Sequence, residues 1–441
     1  MTRRIRRILY ISFIAVFLIS APILVLYTAG YRYDTSRNRV IKTGVLTIHS
    51  QPKDALVSIN GQPQQKKTPS TISRLLPGTY QVRVEKEGYI PWESNLTVTK
   101  GEVTLVSDLQ LFSSNSPQLI SDRSISQFHL DTQDRGYFVE STETTAILHR
   151  INLNTGEIME MTQGANLQIL ASEFNQILVA YREGEEEIIA VIDQSGNSLR
   201  PLPQFTSVPS KSAFVSENSI VTLLDGKICR LEIDPASAPL NCSGNAITDF
   251  LIASGSIYTL SSQPNASVIS RASINDQSVT EIAPLPLQNY ELSSFRDDIL
   301  TVVNHDDESI YFIRLNQDDF SISRHNSLGS QAFWLVDENR LVSYGSFEVW
   351  LVNPATEERN LITRVSDPIL QAGQISDLPY IFILQGSSLS VVPIDSVGSQ
   401  RKMISLVENV EGLKTAENAN NSLWLTATRK NSLWRQILFT P

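Results

Sequence analysis

Cysteine and histidine are scarce: two and five residues respectively among 441, and only 19% of the chain is charged. Cys229 and Cys242 lack the C-x-x-C spacing of redox and zinc motifs. His49, His129, His149, His305 and His325 form neither H-E-x-x-H nor H-x-H, so each reads as a strand or loop surface residue. The nucleophile elbow G-x-S-x-G is missing, as are G-x-G-x-x-G and G-x-x-x-x-G-K-[ST], which leaves no signature of a serine hydrolase or a nucleotide site. Acidic runs occur at Asp297-Asp298, Asp306-Asp307-Glu308, Asp318-Asp319 and Glu185-Glu186-Glu187, but none has the alternating D-x-D-x-D-G spacing of a calcium loop. The net charge of -10 comes without a basic surface, so nucleic acid is not an expected partner. The expectation is a chain with no catalytic, cofactor-binding or metal-ligating residues.

What is present is apolar and strand-forming. Apolar residues make up 41% of the chain, enough for a large core, and Gly and Pro are spread evenly at 20 each. That composition predicts many short strands joined by turns, an all-β ectodomain. Ahead of it stands one long hydrophobic run, from Ile8 to Tyr31. At 1.5 Å per residue, its roughly 24 residues reach about 36 Å, enough to span a bilayer with some tilt. Tyr10, Tyr27, Tyr31 and Tyr33 sit near its ends, where amphipathic rings suit headgroups, and Arg3, Arg4, Arg6 and Arg7 precede it. The expectation is a cytoplasmic tail over 1–7, a transmembrane helix over 8–31 and a polar connector over 32–42. A cleaved signal peptide is the alternative; its apolar core is shorter and ends in an A-x-A-like site, whereas this run ends in Thr28-Ala29-Gly30-Tyr31.

Cys229 and Cys242 lie at equal distances from the turn Asp234-Pro235-Ala236-Ser237. A hairpin there sets them opposite each other, so the pair reads either as a cross-strand disulfide outside the cell or as two buried thiols.

Residues 43–112 read as a small antiparallel β-sandwich. Strands are expected at Val45 to His49, Val57 to Ile59, Tyr80 to Val84, Leu96 to Val98 and Val103 to Leu111, with Asn60-Gly61 and Pro77-Gly78 supplying positive φ angles at turns. The order Ser50-x-Pro52-x-x-Ala55-x-Val57-x-Ile59-Asn60-Gly61, then Thr68-Pro69, then Leu76-Pro77-Gly78-x-Tyr80-x-Val82-x-Val84, then Lys86-x-Gly88-Tyr89 resembles the PEGA domain. The name-giving turn reads Pro52-Lys53-Asp54-Ala55 here, and Asp54 tolerates the left-handed conformation that the turn requires. The resemblance implies a surface-exposed, immunoglobulin-like module of bacterial and archaeal envelope proteins, with no catalysis. Trp92, with Tyr89 before it, falls at a turn of this module; the two are the candidate contacts for a partner or glycan, against simple packing.

From 113 to 441 the chain repeats. Segments open near Ser126, Ala165, Pro209, Ala246, Asn289, Gln331, Leu370 and Gly412, about 40 residues apart, and hairpins such as HRINLNTGEIMEMT and WLVNPATEERNLIT echo one another. Four strands per 40-residue unit predict a β-propeller, with eight blades, or seven as the alternative. The last unit is one strand short, and Pro117 to Ser121 is a spare strand expected to close it. Trp334, Trp350, Trp424 and Trp434 sit in strand contexts and read as packing between blades. Together these features predict a non-catalytic cell-envelope scaffold or binding protein, single-pass in the membrane, its bulk extracytoplasmic and its partner an envelope protein or cell-wall glycan. The alternative is an extracytoplasmic glycan-active enzyme with its site in the propeller channel, which would need carboxylates, or a histidine with a carboxylate, converging at one mouth.

Overall fold

The computed structural model describes residues 3–34, 38–132, 135–142, 144–196, 198–234, 238–274, 279–315, 320–326, 328–336, 339–376, 378–395, 401–408, 413–419, 422–427 and 432–438. Asp318 and Asp319 lie outside the described residues. Two compact units are formed: one holds Met1–Asn115 with Asp395–Met403 and Leu438–Pro441, the other Ser116–Ile394 with Ile404–Ile437.

The N-terminal unit begins with helix α1 (Arg3–Thr28), whose stretch Leu9–Thr28 is apolar, long enough to cross a membrane and unburied by the rest of the protein. Within the segment expected as a connector, β1 (Tyr31–Asp34) pairs antiparallel with β2 (Arg39–Lys42), Tyr31 opposite Lys42. Seven strands follow: β3 (Gly44–Gln51), β4 (Leu56–Ile59), β5 (Gln62–Pro63), β6 (Ser70–Leu75), β7 (Gly78–Glu85), β8 (Trp92–Val98) and β9 (Val103–Gln110). They make two sheets, ordered β6-β3-β9 and β5-β4-β7-β8. Alternation buries Leu46 and Ile48 on one sheet, and Val57, Ile59, Val82, Val84, Leu96 and Val98 on the other. Fully burying each such side chain contributes about 1.5–3 kcal/mol.

Three details differ from the sequence reading. β3 and β9 pair in parallel, from Val45 with Val103 to Gln51 with Gln110, so the sandwich is mixed. Strand β6 was not anticipated, because Pro69 and the polar Ser-Thr alternation around it hid a strand that reads as turn. Asn60 (φ 47°) and Gly61 (φ 77°) take the left-handed pair that a tight hairpin needs, but Gly78 has no positive φ and simply starts β7. Asp54 holds φ 64°, the conformation expected of it in place of glycine. The Thr-Pro signature has a physical reason: the Thr68 hydroxyl lies 2.6 Å from the Ser50 hydroxyl and accepts from Ala55 N at 3.0 Å, which fastens the turn to the end of β3.

The second unit opens with β10 (Gln118–Ser121), followed by β11 (Ile125–Thr132), β12 (Arg135–Ser141), β13 (Ala146–Asn152) and β14 (Ile158–Glu173). Among the described residues it contains six four-stranded sheets and one of seven strands. The seven-stranded sheet arises because β14 pairs with β13 up to Gly164 and with Gln176–Glu183 from Ala165 onward. Glycine is required at the corner: a Cβ on Gly164 would sit 2.6 Å from Tyr181 Cδ2 and 2.9 Å from Tyr181 Cβ. The expected repeat openings fall within two residues of the first strand of each later sheet, at Lys211, Ile247, Tyr290, Gln331, Ile369 and Leu413.

The first strands of successive sheets lie against one another, and Leu413–Ala419 of the last lies against β11 of the first. This is a β-propeller. β10 pairs with Leu433–Ile437, Leu119 opposite Trp434, and so supplies the outer strand that the last repeat lacks. Apolar clusters fill the spaces between sheets; one joins Ile125, Phe128 and Phe138 of the first to fully buried Trp424 and Leu433 of the last. The echoing hairpins share a mechanism: Asn152 Oδ1 accepts from Asn154 N and Thr155 N, Asn353 Oδ1 from Ala355 N and Thr356 N, and each turn ends on a left-handed residue, Gly156 or Glu357.

Candidate functional site

Cys229 and Cys242 are opposed across Lys227–Glu232 and Asn241–Ser243, and their sulfurs are bonded at 2.07 Å. Trp92 is not at a turn: it is the first residue of β8 and only 5% exposed. Its ring lies on the inward face with Leu96 and Val98, so it packs the sandwich and offers no platform, a correction to its candidacy as a contact. Tyr89 is half-buried and bridges to Ser113. Arg3, Arg4, Arg6 and Arg7 occupy the first turns of α1.

The first strands of the propeller carry a set of polar ties between neighbouring sheets or, for Gln127, between β11 and β14 of the seven-stranded sheet. Gln127 Oε1 accepts from Ile169 N at 2.7 Å, Asp249 Oδ2 from Leu292 N at 2.7 Å, and Gln374 Oε1 from Val336 N at 2.6 Å. Ser293 donates to Ala332 O at 3.1 Å. Asp249 is the hub: Oδ1 also receives Lys211 Nζ at 2.7 Å from the preceding sheet and its neighbour Phe250 N at 2.8 Å. Farther out, third-strand arginines repeat the device. Arg150 donates to Gln194 O at 2.5 Å within the seven-stranded sheet, while Arg314 donates to Pro354 O at 3.4 Å and Arg230 to Ile274 O, these two carbonyls lying just past the third strand of the next sheet. Sequence reading missed these residues. Their signal is the recurrence of Ser219 with Arg230, Ser256 with Arg271 and Ser422 with Arg435, where arginine Nε donates diagonally to the serine hydroxyl at 3.0–3.2 Å.

Where β11 and β14 end, titratable groups gather. Asp131 is almost wholly buried, 3.5 Å from Arg135 Nη2, and that guanidinium also donates to Asn175 Oδ1 at 2.8 Å. Burial, then the Asp131 charge, push the Tyr137 hydroxyl up to about 12. Glu173 is held above the ordinary carboxylate range by desolvation first and by Asp131 second, and desolvation lowers His129 against the pull of Asp131. Among the described residues, Asp131 and Glu173 are carboxylates whose charges reach one another, a partial approach to the convergence that the enzyme alternative requires.

Other titratable groups are engaged in the fold. His149, expected at the surface, is 2% exposed, stacked on Phe138 with centroids 4.8 Å apart, and its Nε2 lies 2.7 Å from Glu140 Oε2, which also binds Arg123 at 2.7 Å. Burial raises the Glu140 pKa, but these two partners outweigh it and leave the group below its usual range. Asp306 accepts from Asn289 N at 2.9 Å, and Asp307 binds Ser309 and Arg324. Among the described residues, no three His, Cys, Asp or Glu side chains converge to hold a metal ion.

A cleft of about 790 Å³ opens between the outer strands of sheets 211–243 and 247–285. The short strand Asn241–Ser243, with Cys242, forms one wall; Thr259, Ser261 and Ser270 face it, among aliphatic side chains such as Ile228 and Ile257. Among the described residues, no aromatic ring lines it.

Residues 43–111 match the PEGA domain. No curated protein matches the chain. Solved structures are similar in fold: the Dos1 propeller (8% identity, TM-score 0.55, covering 74% of this chain and 96% of that one) and a eukaryotic initiation factor (12%, 0.50, 72% and 89%). Apo AztD from Citrobacter koseri aligns at 12% identity and TM-score 0.47, over 66% and 88% of the two chains. At such identities the fold alone is shared. The chain thus carries an N-terminal apolar helix, a PEGA domain and a β-propeller.

Proposed function

We propose that this protein is a non-catalytic cell-envelope scaffold or binding protein: α1 anchors it in the membrane, N-terminus cytoplasmic, and the PEGA domain and propeller stand outside. We read the seven-stranded sheet as two blades, which makes the ring eight-bladed. The observation that carries the binding reading is the use of polar groups on the first strands as ties. Asp249 spends both oxygens on three donors from three consecutive sheets, and Gln127, Ser293 and Gln374 are likewise engaged. A core so fastened suits a rigid display of loops and of the cleft beside the disulfide. The arginines in the first turns of α1, ahead of its apolar span, favour the cytoplasmic side for the N-terminus. The partner is an envelope protein or a cell-wall glycan. Crosslinking in intact cells with purified wall glycan as competitor tests this: one protein recovered regardless of glycan supports the protein partner, loss with glycan supports wall binding, and capture unchanged by Ser243→Trp in the cleft removes the cleft from the reading.

A glycan-active enzyme is the second reading, and Asp131 with Glu173 is the observation in its favour. Glu173 is exposed and Asp131 buried, and a carboxyl raised by desolvation within electrostatic reach of a buried carboxylate is the kind of pairing that glycosidic acid–base chemistry uses. Release of soluble sugars from wall glycan that disappears in Glu173→Gln would establish it. Absence of release by the wild type leaves the binding reading.

A further inference from the structure

Charge is divided sharply along the chain. Residues 1–112 hold 15 Lys and Arg against 7 Asp and Glu, a net of +8, whereas residues 113–441 hold 21 against 39, a net of -18. Part of the positive excess is the arginine cluster in the first turns of α1; Arg32 and Arg74 lie at the other end of the helix.

That end is built into the domain. Thr43 N and Oγ1 both donate to Gly30 O, at 2.9 and 2.7 Å, and Gly101 N donates to Thr43 O at 3.2 Å, so one residue clasps the helix exit to the sandwich. Arg32 lies over the Tyr27 ring, 3.6 Å from its centroid, and Nη1 donates to Tyr27 O and Tyr31 O. From β6, Arg74 reaches the same ring at 5.5 Å. The Lys42 side chain runs against Gly101, where an added Cβ would be 3.1 Å from Lys42 Cδ. Arg39, Lys42 and Arg74 are exposed, as are the rings of Tyr27 and Tyr33. The nearby acids are Asp34, which is buried, and Glu102.

We infer that this collar of Arg39, Lys42 and Arg74 around the C-terminal end of α1 binds the phosphate headgroups of anionic phospholipids and seats the PEGA domain on the bilayer surface. The inference rests on the anchoring reading. Tyrosines at the helix exit mark headgroup depth, and the contacts of Lys42 with Gly101 and of Arg74 with the Tyr27 ring lower the ordering cost of meeting phosphates there. Near an anionic surface each Lys or Arg contributes roughly fivefold to binding.

The test uses the full chain carrying Arg3, Arg4, Arg6 and Arg7 each changed to Gln, so that only one cationic end remains. It is reconstituted in nanodiscs of equal phosphatidylcholine and phosphatidylglycerol, and the lipids it retains are counted by native mass spectrometry. Retention favours phosphatidylglycerol, weakens in high salt, and falls at least about tenfold in preference on adding Arg39→Gln, Lys42→Gln and Arg74→Gln, while Arg39→Lys with Arg74→Lys preserves it. Arg32 is left intact because it fastens the helix end. An unchanged preference in the triple variant overturns the inference and leaves the anchor standing. Failure of the chain to float with vesicles of either composition overturns both.

Discussion

Replacing Asp249 by Ala leaves two backbone donors, Phe250 N and Leu292 N, facing a site with no acceptor, and frees Lys211. Each orphaned buried N–H costs about 1–3 kcal/mol, so the two together cost about 2–6 kcal/mol. The ion pair itself adds little, since the Lys211 side chain is 40% exposed and a pair so open to water is worth about 0–1 kcal/mol. Asp249→Asn should fall between: its carbonyl still accepts from Phe250 N, but its amide points N–H groups at Leu292 N–H, a loss of about 1–3 kcal/mol. Four of the five tryptophans lie in the propeller, so intrinsic fluorescence during guanidinium unfolding of the full chain in detergent follows this unit. The expected order of damage is Ala, then Asn, then Lys211→Gln. If Lys211→Gln destabilises as much as Asp249→Ala, or if Ala costs less than about 1 kcal/mol, the carboxylate is not a backbone tie and the reasoning fails.

Gly164→Ala should destabilise the propeller by about 1–3 kcal/mol through overpacking against Tyr181, and Tyr181→Ala should absorb part of that loss in the double variant. Removing the disulfide with Cys229→Ser and Cys242→Ser should cost about 3 kcal/mol on the chain-entropy account, read as a lower denaturant midpoint that reductant no longer shifts. Burial depresses the folded-state pKa of His129 and His325, so their contribution is present above the unfolded value near 6.5 and lost as pH falls through the folded one. Unfolding midpoints should therefore drop on going from pH 7 to 5, and drop less in His129→Gln with His325→Gln; an equal drop would show that other groups govern it. Glu140 is also depressed, so Glu140→Gln should flatten the loss of stability that sets in below the ordinary carboxylate range.

Much of the architecture was legible because it is written in periods. Forty-residue spacing located the first strands to within two residues, and the spare segment at Pro117 to Ser121 could be matched to a final unit one strand short. Asp54 was readable because only a few residue types accept its φ. Strand β6 and the β1–β2 pair were not, since each strand holds at most two aliphatic residues, too few for an alternation to stand out. Trp92 misled because the preceding Gly88 and Pro91 signal a turn, while the β8 alternation that buries it begins only at Trp92 itself. The ties through Asp249 and Gln127 were invisible for another reason: a hydrogen bond between residues 42 or 43 apart leaves no local pattern. Nor did spacing disclose that the Asp131 charge reaches Glu173, since the two stand 42 residues apart on separate strands, β11 and β14.

The pairing of Gln118–Ser121 with Leu433–Ile437 also sets a schedule. The two partners are made about 315 residues apart, and at about 5–20 residues per second roughly 15–60 seconds of synthesis separate them. For that interval the early strand waits with an open edge, and the first sheet lacks Trp424 and Leu433, which complete its apolar contacts. Closing the ring is thus a late event in the life of each new chain, and factors that shield exposed strand edges would act on this protein in that window.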